Sequence, residues 1–286
     1  MGWFSRIRIL LDSIKFEHSI FALPFAFSGA VLGARGFPTP WQCLWILVAM
    51  VGARNSAMAF NRLVDESYDA KNPRTSDRAL PRRLLTRSFL RGFIVVSSGV
   101  FIFSAFMLNR LAFMLSPLAL AWVLFYSYTK RFTFLSHLIL GFSYTIAPVG
   151  AYLAVKGEIH RLPLLLGLGA MFWVAGFDIL YSCLDYDFDR AVRLHSIPRY
   201  LGIKSALRAS ILFHVAALGF FVLTGISGEM GPIYFGGIVL VFSLLFLEHA
   251  VLSPKDLSRI NFSFFTLNGI ISVIFFLATF FDILMR

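Results

Sequence analysis

Acidic residues are concentrated in two short windows of the sequence. The first holds Asp65, Glu66, Asp69 and Asp77, the second holds Asp178, Asp185, Asp187 and Asp189, and together they make up eight of the 15 Asp and Glu residues. Asp65 and Asp69 are four residues apart, as are Asp185 and Asp189, which puts both carboxylates of a pair on one face of a helix. Like charges at that spacing repel each other, so each pair favours a cation. Carboxylate oxygens suit Mg²⁺, which completes its shell with water and substrate phosphate oxygens. The pattern therefore predicts a Mg²⁺ site for a phosphate-bearing substrate.

The other residues of the two windows are open to more than one interpretation. Asn61 extends the first acidic stripe by one helical turn, and Asp178 lies on roughly the same face as the second pair. Glu66 and Asp77 are interpreted as solvated loop acids that balance nearby arginines. Asp187 lies off the stripe and either remains in solvent or turns toward the site.

Cationic side chains lie close to both windows in the sequence. They are Arg74 and Arg78 after the first window, Lys130 and Arg131 before the second, and Lys204 after it. Arg contacts phosphate oxygens through two parallel N–H groups, and Lys does so as a point charge. These residues are therefore candidates for binding a diphosphate, and ordinary loop charge is the alternative interpretation for each.

The composition identifies the chain as an integral membrane protein. Its 286 residues are 58% hydrophobic and 14% charged, and the mean hydropathy is +0.77. Soluble domains carry about 25% charged residues, so a soluble enzyme is excluded. The net charge of +11 is interpreted as topology charge facing an anionic leaflet, and no nucleic-acid partner is expected.

Nine apolar stretches are long enough to cross a bilayer, which takes about 17 to 25 residues. They lie near 17–34, 41–60, 92–109, 111–128, 134–155, 163–183, 209–226, 232–252 and 262–282. Most of the 26 Lys and Arg residues fall in alternate connections. The positive-inside rule then predicts that the N-terminus and both acidic windows are cytoplasmic and that the C-terminus is outside. Residues 1–16 are interpreted as an amphipathic segment that lies along the membrane surface, and residues 17–286 as one transmembrane domain.

Several ionisable residues fall inside these apolar stretches. Arg54 lies within the second stretch and is a functional candidate, because charges inside a membrane are costly. The histidines at 18, 137, 214 and 249 lack metal-ligand spacing. We interpret them, together with Glu248, as polar residues that are satisfied between helices.

At the acidic windows the chain resembles the UbiA superfamily of intramembrane prenyltransferases. The family's first motif, Asn-Asp-x-x-Asp-x-x-x-Asp, is matched by Asn61-Arg62-Leu63-Val64-Asp65-Glu66-Ser67-Tyr68-Asp69. The second, Asp-x-x-x-Asp, is matched by Asp185-Tyr186-Asp187-Phe188-Asp189. Family-like context is also found at residues 18–24, 128–131 and 202–205. Arg62 replaces the usual Asp, which leaves open which carboxylates contact which ion.

The resemblance implies nine helices around a central cavity, capped by the polar loops after the second and sixth spans. Mg²⁺ is expected to be held by Asp65, Asp69, Asp185 and Asp189. The ion would bind the diphosphate of an isoprenyl donor, whose allylic cation attacks an electron-rich aromatic ring. Candidates for orienting the diphosphate or the aromatic acceptor are Tyr126, Tyr128, Tyr144 and Tyr181. Asp178 is expected either to position or deprotonate the acceptor, or to pair with Arg54.

Within the superfamily, residues 69–75 and 176–179 most resemble 4-hydroxybenzoate polyprenyltransferases and their bacterial relatives. The resemblance implies transfer from a polyprenyl diphosphate to an aromatic acid in quinone biosynthesis, in a bacterial inner membrane. Some of these relatives act on 1,4-dihydroxy-6-naphthoate in menaquinone synthesis, and the choice of acceptor stays open. An ion-coupled transporter is the alternative from another class, and it is disfavoured because the acidic pairs lie at helix ends rather than near the midplane.

Overall fold

Helices make up most of the chain in the part that the structure describes. The structure is a computed structural model, and it describes residues 3–14 and 21–286. The helices are α1 (Trp3–Ser13), α2 (Ala22–Ala34), α3 (Pro40–Val64), α4 (Glu66–Asp69), α5 (Arg87–Leu108), α6 (Arg110–Phe125), α7 (Ser136–Lys156), α8 (Arg161–Ser182), α9 (Tyr186–Ala191), α10 (Ile197–Ser227), α11 (Pro232–Ala250) and α12 (Asn268–Leu284). Two 3₁₀ turns, Tyr126–Arg131 and Cys183–Asp185, and a π-turn, Phe262–Leu267, join some of them. The predicted all-α fold is confirmed.

Eight of the described helical segments are long and apolar enough to cross a membrane. They coincide with the last eight predicted spans. The first predicted span is occupied by α2, which has 13 residues, while residues 17–20, including His18, lie outside the described part. The predicted count of nine is therefore met by eight full-length spans and one shorter apolar helix. Helix α10 begins earlier than the seventh predicted span, because the hydroxyl of Ser196 caps it by accepting the N–H of Arg199 at 3.4 Å. It is kinked at Gly202, whose φ of 75° and ψ of 160° are not helical, so residues 197–201 form a short capped turn ahead of the span.

Glycines allow α7 to pack closely against two neighbours. A Cβ at Gly29 of α2 would lie 2.1 Å from the carbonyl oxygen of Pro148 in α7. A Cβ at Gly141 of α7 would lie 2.2 Å from the carbonyl oxygen of Met171 in α8. Small residues at such crossings let helix backbones approach each other inside a membrane. Helix α7 is thus held tightly between α2 and α8.

Helix α8 lies at the centre of the apolar core. Trp173, Val174 and Ile179 are fully buried, and the Trp173 ring lies 4.9 Å from that of Phe25 in α2. Phe25 also stacks on Phe275 of α12 at 4.9 Å. A helix packed on most of its sides has little freedom to move, so α8 is a rigid support for the acidic residues at its end.

The connection at residues 70–86 is folded onto the protein. Leu80 and Leu85 pack with Leu10 and Ile14 in one apolar cluster that also includes residues of α3 and α5. The predicted amphipathic segment therefore contains a helix, α1, and Leu10 and Ile14 of its apolar face are buried within the protein. Lys15, at the end of that segment, lies outside the described residues.

Candidate functional site

The two acidic windows meet at one end of a large cavity. The cavity has a volume of about 1420 Å³, and its lining includes Asp65, Asp69, Asp178, Asp185 and Asp189. Helices α3 and α8 end at this side of the bundle, and each is followed by a short helix, α4 or α9, that carries the rest of its motif. Motifs that are about 120 residues apart in the chain are thereby brought to one polar wall, as the sequence predicts.

The first motif is stabilised by contacts with two arginines and an amide. Asn61 Nδ2 donates to Asp65 Oδ2 at 2.8 Å, and Arg131 Nη2 lies 3.4 Å from Asp65 Oδ1. Arg78 Nη1 donates to Asp69 Oδ1 at 2.6 Å. Burial raises the pKa of the Asp65 carboxyl above its usual value, and the neighbouring Asp69 carboxylate raises it further. The two acids of this motif therefore repel each other and favour an added cation.

The second motif is contacted by the connection that follows the first motif. Arg74 forms a two-pronged contact with Asp185, from Nε to Oδ1 at 2.9 Å and from Nη2 to Oδ2 at 2.5 Å. Asn72 Nδ2 donates to the same Oδ1 at 2.9 Å, and Arg74 Nη1 donates to the Tyr181 hydroxyl at 3.1 Å. Asp189 is 2% exposed. Residues 70–86 thus link the two motifs across the cavity.

Lys130 and Arg131 come from the 3₁₀ turn that ends α6. The Lys130 ammonium interacts electrostatically with the carboxylates of Asp65, Asp178, Asp185 and Asp189. Arg131 lies over the rings of Tyr68 and Tyr128, with its Cζ 5.3 and 5.2 Å from the ring centroids. The tight turn therefore places Lys130 among the acidic side chains and stacks Arg131 on the two tyrosine rings at the rim of the cavity.

The acidic side chains fit a Mg²⁺ ion held jointly with phosphate oxygens. Two buried carboxylate oxygens, Asp69 Oδ2 and Asp189 Oδ2, have no hydrogen-bond partner, and a buried oxygen without a partner is costly unless a cation or donor reaches it. These two atoms come from different motifs. Among the described residues, however, no three acidic or His/Cys side chains converge as one complete ligand set. Mg²⁺ needs only one or two carboxylates when phosphates supply further oxygens, so the donor set is suitable.

A second polar layer lies deeper in the cavity. Asp178 precedes Asp185 by seven residues, across the end of α8 and the 3₁₀ turn that follows it, or about 10 Å of helix rise. Arg54 lies at a similar depth below Asn61 on α3, and both Arg54 and Asp178 interact electrostatically with the Tyr144 hydroxyl. The proposed pairing of Asp178 with Arg54 is wrong. Asp178 Oδ2 instead lies 2.6 Å from His137 Nδ1, because the first turn of α7 faces α8 at this level, whereas Arg54 Nη2 donates to the Ile14 carbonyl at 3.4 Å.

Arg62, the residue that departs from the family motif, is buried beside the first acidic pair. Its Nε donates to the Ser13 carbonyl of α1 at 3.1 Å, and its Nη1 donates to Asn61 Oδ1 at 3.0 Å. Arg62 therefore holds α1 against the cavity and orients the amide that contacts Asp65.

Most of the remaining cavity wall is apolar. Side chains from α3, α5, α6 and α7 form this part of the lining, among them Ala49, Ala53, Ala105, Leu115, Ala119 and Ala147. Many of them are alanines, which leave space between the helices. A long hydrocarbon chain fits such a wall, because moving apolar surface out of water and against an apolar wall lowers the free energy.

An aromatic wall faces the second motif. The Phe264 ring centroid lies 4.2 Å from that of Tyr181, and the Arg74 guanidinium lies 5.1 Å from the Tyr181 centroid. Phe264 belongs to the π-turn, and the ends of that turn are fixed by Glu248, whose Oε1 accepts from Ser263 Oγ at 2.9 Å and Asn268 Nδ2 at 2.8 Å. Glu248 therefore has a structural role, as the sequence predicts, but only its Oε1 is satisfied, because the buried Oε2 has no hydrogen-bond partner.

Some predicted site residues lie elsewhere. Lys204 is an exposed residue of α10 and is absent from the cavity lining, because nearness to a motif in sequence does not fix the face of the following helix. Asp187 is also exposed and outside the lining. Glu66 pairs with Arg87 at 2.6 Å, which agrees with its interpretation as a loop acid.

Two residues that contact aspartates of the site, Asn72 and His137, were not predicted as site residues from the sequence. Asn72 donates to Asp185 across 113 residues of sequence, and His137 contacts Asp178 across 41. The segment containing Asn72 resembles the family, and that resemblance was the available signal for it. For His137 no spacing pattern connects the two residues.

The fold and the site together define an integral membrane protein with an aspartate-lined cavity that continues into an apolar chamber. The UbiA prenyltransferase family matches residues 22–277. The chain belongs to this family, as its two motifs predict.

Individual relatives agree with this membership. A UbiA homologue from Aeropyrum pernix K1, solved in its apo form, is 35% identical, with a TM-score of 0.85 over 93% of this chain and 98% of that one. A UbiA homologue from Archaeoglobus fulgidus, bound to DMAPP and Mg²⁺, shares the fold with a TM-score of 0.76 at 17% identity, over 99% of this chain and 100% of that one. A 4-hydroxybenzoate octaprenyltransferase from Nitrosomonas europaea is 27% identical over 86% of this chain and 84% of its own length.

Proposed function

We propose that this protein transfers a polyprenyl group from a polyprenyl diphosphate to an aromatic acid of the 4-hydroxybenzoate type, with Mg²⁺ as cofactor, in quinone biosynthesis. The observation that carries the proposal is the meeting of two aspartate motifs at the polar end of a cavity whose other walls are apolar. The names of the curated relatives support the acceptor class, and the Archaeoglobus complex supports a prenyl diphosphate donor with Mg²⁺.

The polar end is suited to the donor diphosphate. Asp69 and Asp189, assisted by Asp65 and Asp185, would hold Mg²⁺, which when bound supplies positive charge to the leaving diphosphate. Arg74, Arg78 and Lys130 are long cationic side chains within reach of the same space. In the structure Arg74 and Arg78 neutralise Asp185 and Asp69, and we infer that they move part of their hydrogen bonding to diphosphate oxygens when the donor binds.

The deeper layer is suited to the aromatic acid. Arg54 offers a guanidinium for the acceptor carboxylate, and the apolar wall receives the hydrocarbon tail. Tyr181 and Phe264 line the cavity beside the second motif, and electron-rich ring faces stabilise a cation. The reacting carbon of the donor would then lie between the two polar layers.

We further propose that the aspartate end faces the cytoplasm of a bacterial inner membrane, with the N-terminus inside and the C-terminus outside. The alternation of Lys and Arg between connections supports this orientation. The bacterial origin of the curated relatives supports the membrane assignment.

The proposal is tested by mass spectrometry of products formed in membranes that contain the protein, Mg²⁺ and a polyprenyl diphosphate. Two acceptors, 4-hydroxybenzoate and 1,4-dihydroxy-6-naphthoate, are offered in parallel, and diphosphate release is measured in the same samples. The double variant Asp65→Asn/Asp185→Asn is the inactive control. Glu66→Gln is the matched control, because Glu66 lies next to Asp65 but pairs with Arg87 on the surface.

We expect a prenylated benzoate that the double variant does not form and that Glu66→Gln still forms. If only a prenylated naphthoate forms, the proposed prenyl transfer is supported but the acceptor is the naphthoate instead of the benzoate. Substrate flux without diphosphate release would instead indicate a transporter. Absence of both product and diphosphate release, from folded protein and across several donor lengths, would overturn the proposal.

A further inference from the structure

His137 and Asp178 form a polar pair whose hydrogen-bond direction is fixed by its surroundings. The backbone N–H of Ile197 donates to His137 Nε2 at 3.3 Å, so Nε2 is an acceptor and carries no proton. The imidazole proton is therefore on Nδ1, which donates to Asp178 Oδ2 at 2.6 Å. Asp178 therefore accepts this hydrogen bond as a carboxylate, and the histidine that donates it is neutral.

The pair is oriented so that only the aspartate reaches the cavity. The His137 side chain is fully buried, whereas the Asp178 side chain is 18% exposed and belongs to the cavity lining. Both ring nitrogens of His137 are engaged, and Asp178 belongs to the rigid central helix α8. Such an arrangement holds a reactive group in one orientation, as second-layer partners do in other sites.

The depth of Asp178 matches the position of an acceptor ring rather than of a diphosphate. The helical rise between Asp178 in α8 and Asp185 in the following 3₁₀ turn, about 10 Å, leaves space for the phosphate groups, the reacting carbon and one ring. Near Asp178 the cavity lining also carries Arg54 and Lys130, which are cations, and Tyr144, which is a neutral phenol. None of these three side chains is a base, and the carboxylates of the two motifs, Asp65, Asp69, Asp185 and Asp189, are the candidates for Mg²⁺.

We propose that Asp178 is the base that takes the proton lost by the acceptor ring, and that His137 is the positioning residue that holds it. The inference rests on the proposed function. In the reaction the bond from the prenyl carbon to the diphosphate oxygen breaks, and its electron pair leaves with the diphosphate. A π electron pair of the ring forms the new carbon–carbon bond. The electron pair of the ring C–H bond then returns to the ring and restores aromaticity, while the proton passes to a carboxylate oxygen of Asp178.

The first test compares Asp178→Asn with Asp187→Asn. Asp187 is the matched control, because it carries the same charge nine residues later in the chain but is exposed outside the cavity. We expect Asp178→Asn to lower kcat for acceptor prenylation by about 100-fold or more, with a much smaller change in the KM of the donor. Asp187→Asn should match the wild-type protein.

An acceptor deuterated at the ring position that loses hydrogen separates a base from a purely structural residue. If Asp178 removes that proton, the step becomes slow in Asp178→Asn, and the deuterated acceptor should then react more slowly than the ordinary one, by a larger ratio than in the wild-type protein. An unchanged ratio together with a lowered kcat would assign Asp178 to packing or binding and overturn its role as base.

The second test uses two substitutions of His137. Asn places an amide N–H near the former Nδ1 and keeps a donor for Asp178, whereas Gln places its polar atoms near the former Nε2 and keeps the contact with Ile197. We expect His137→Gln to lower kcat by about tenfold or more, the effect of losing one hydrogen bond to a charged group, and His137→Asn to recover most of the rate. Equal rates in the two variants would overturn the positioning role.

Thermal unfolding of each variant, with and without Mg²⁺ and a non-hydrolysable prenyl diphosphate analogue, reports folding and donor binding independently of turnover. Wild-type protein that forms product, beside a folded Asp178→Asn variant that forms it equally fast, would overturn this inference alone. Wild-type protein that forms neither product nor diphosphate would overturn the proposed function.

Discussion

The two aspartate motifs are alike in sequence and different in their surroundings. Each has a pair of aspartates four residues apart at the end of a long helix. In the first motif, Asp69 is contacted by Arg78 from the connection that directly follows it. In the second, Asp185 is contacted by Arg74 and Asn72, which also come from the connection after the first motif. One connection therefore supplies the partners of both motifs.

This difference shows that chemical similarity between two halves of a chain does not make them structurally equivalent. The segment after the second motif includes Ser196, which caps the N-terminus of α10. Residues 70–86 instead fold across the cavity and pack on α1. We infer that ordering of residues 70–86 is a condition for assembling the proposed diphosphate site, whereas the segment after the second motif has a supporting role.

The largest expected effect comes from replacing Arg74, the residue that links the two motifs, by a lysine. Arg74→Lys removes the two-pronged contact with Asp185, because an ammonium is a point charge without the guanidinium fork. We expect kcat/KM for the donor to fall about tenfold or more. Arg78 makes one contact with Asp69, which Lys can reproduce, so Arg78→Lys should have a much smaller effect. Steady-state kinetics with varied donor would measure both, and equal losses would contradict the asymmetry between the motifs.

An intermediate effect is expected when the pH is lowered, and it concerns the Mg²⁺ requirement of the enzyme. Burial, and then the Asp69 carboxylate, raise the pKa of Asp65, so this carboxyl takes up its proton at a higher pH than an ordinary aspartate does. A protonated carboxyl is a poor Mg²⁺ ligand. We therefore expect the Mg²⁺ concentration needed for half-maximal activity to rise as the pH falls, starting above the usual aspartate range. Mg²⁺ titrations at a series of pH values would test this, and a requirement that stays constant down to the ordinary pKa of aspartate would refute it.

The smallest effect is expected at charges that the structure places away from the site. Lys204 is exposed and outside the cavity lining, so Lys204→Ala should leave kcat/KM close to that of the wild-type protein. A single exposed charge contributes about 0–1 kcal/mol to stability, and the unfolding temperature should also change little. A large loss of activity in a normally folded Lys204→Ala variant would instead support the sequence-based prediction that Lys204 binds the diphosphate.

The sequence by itself determined the class of protein and most of its elements. Long apolar stretches identify the membrane spans because a bilayer fixes their length. The spacing of Asp65 with Asp69 and of Asp185 with Asp189 identifies paired carboxylates because helical periodicity is a local property. Together with the family resemblance, these signals predicted the fold and the acidic wall, which the structure confirms, whereas the assignment of Mg²⁺ ligands stays a prediction.

Tertiary structure decided which side chains meet. The contacts of Arg74 with Asp185, of His137 with Asp178 and of Arg62 with the Ser13 carbonyl each join separate segments of the chain. Lys204 lies close to the second motif in sequence and still points away from the cavity. Such outcomes depend on how helices cross and rotate when their surfaces pack, and no local spacing rule encodes that choice.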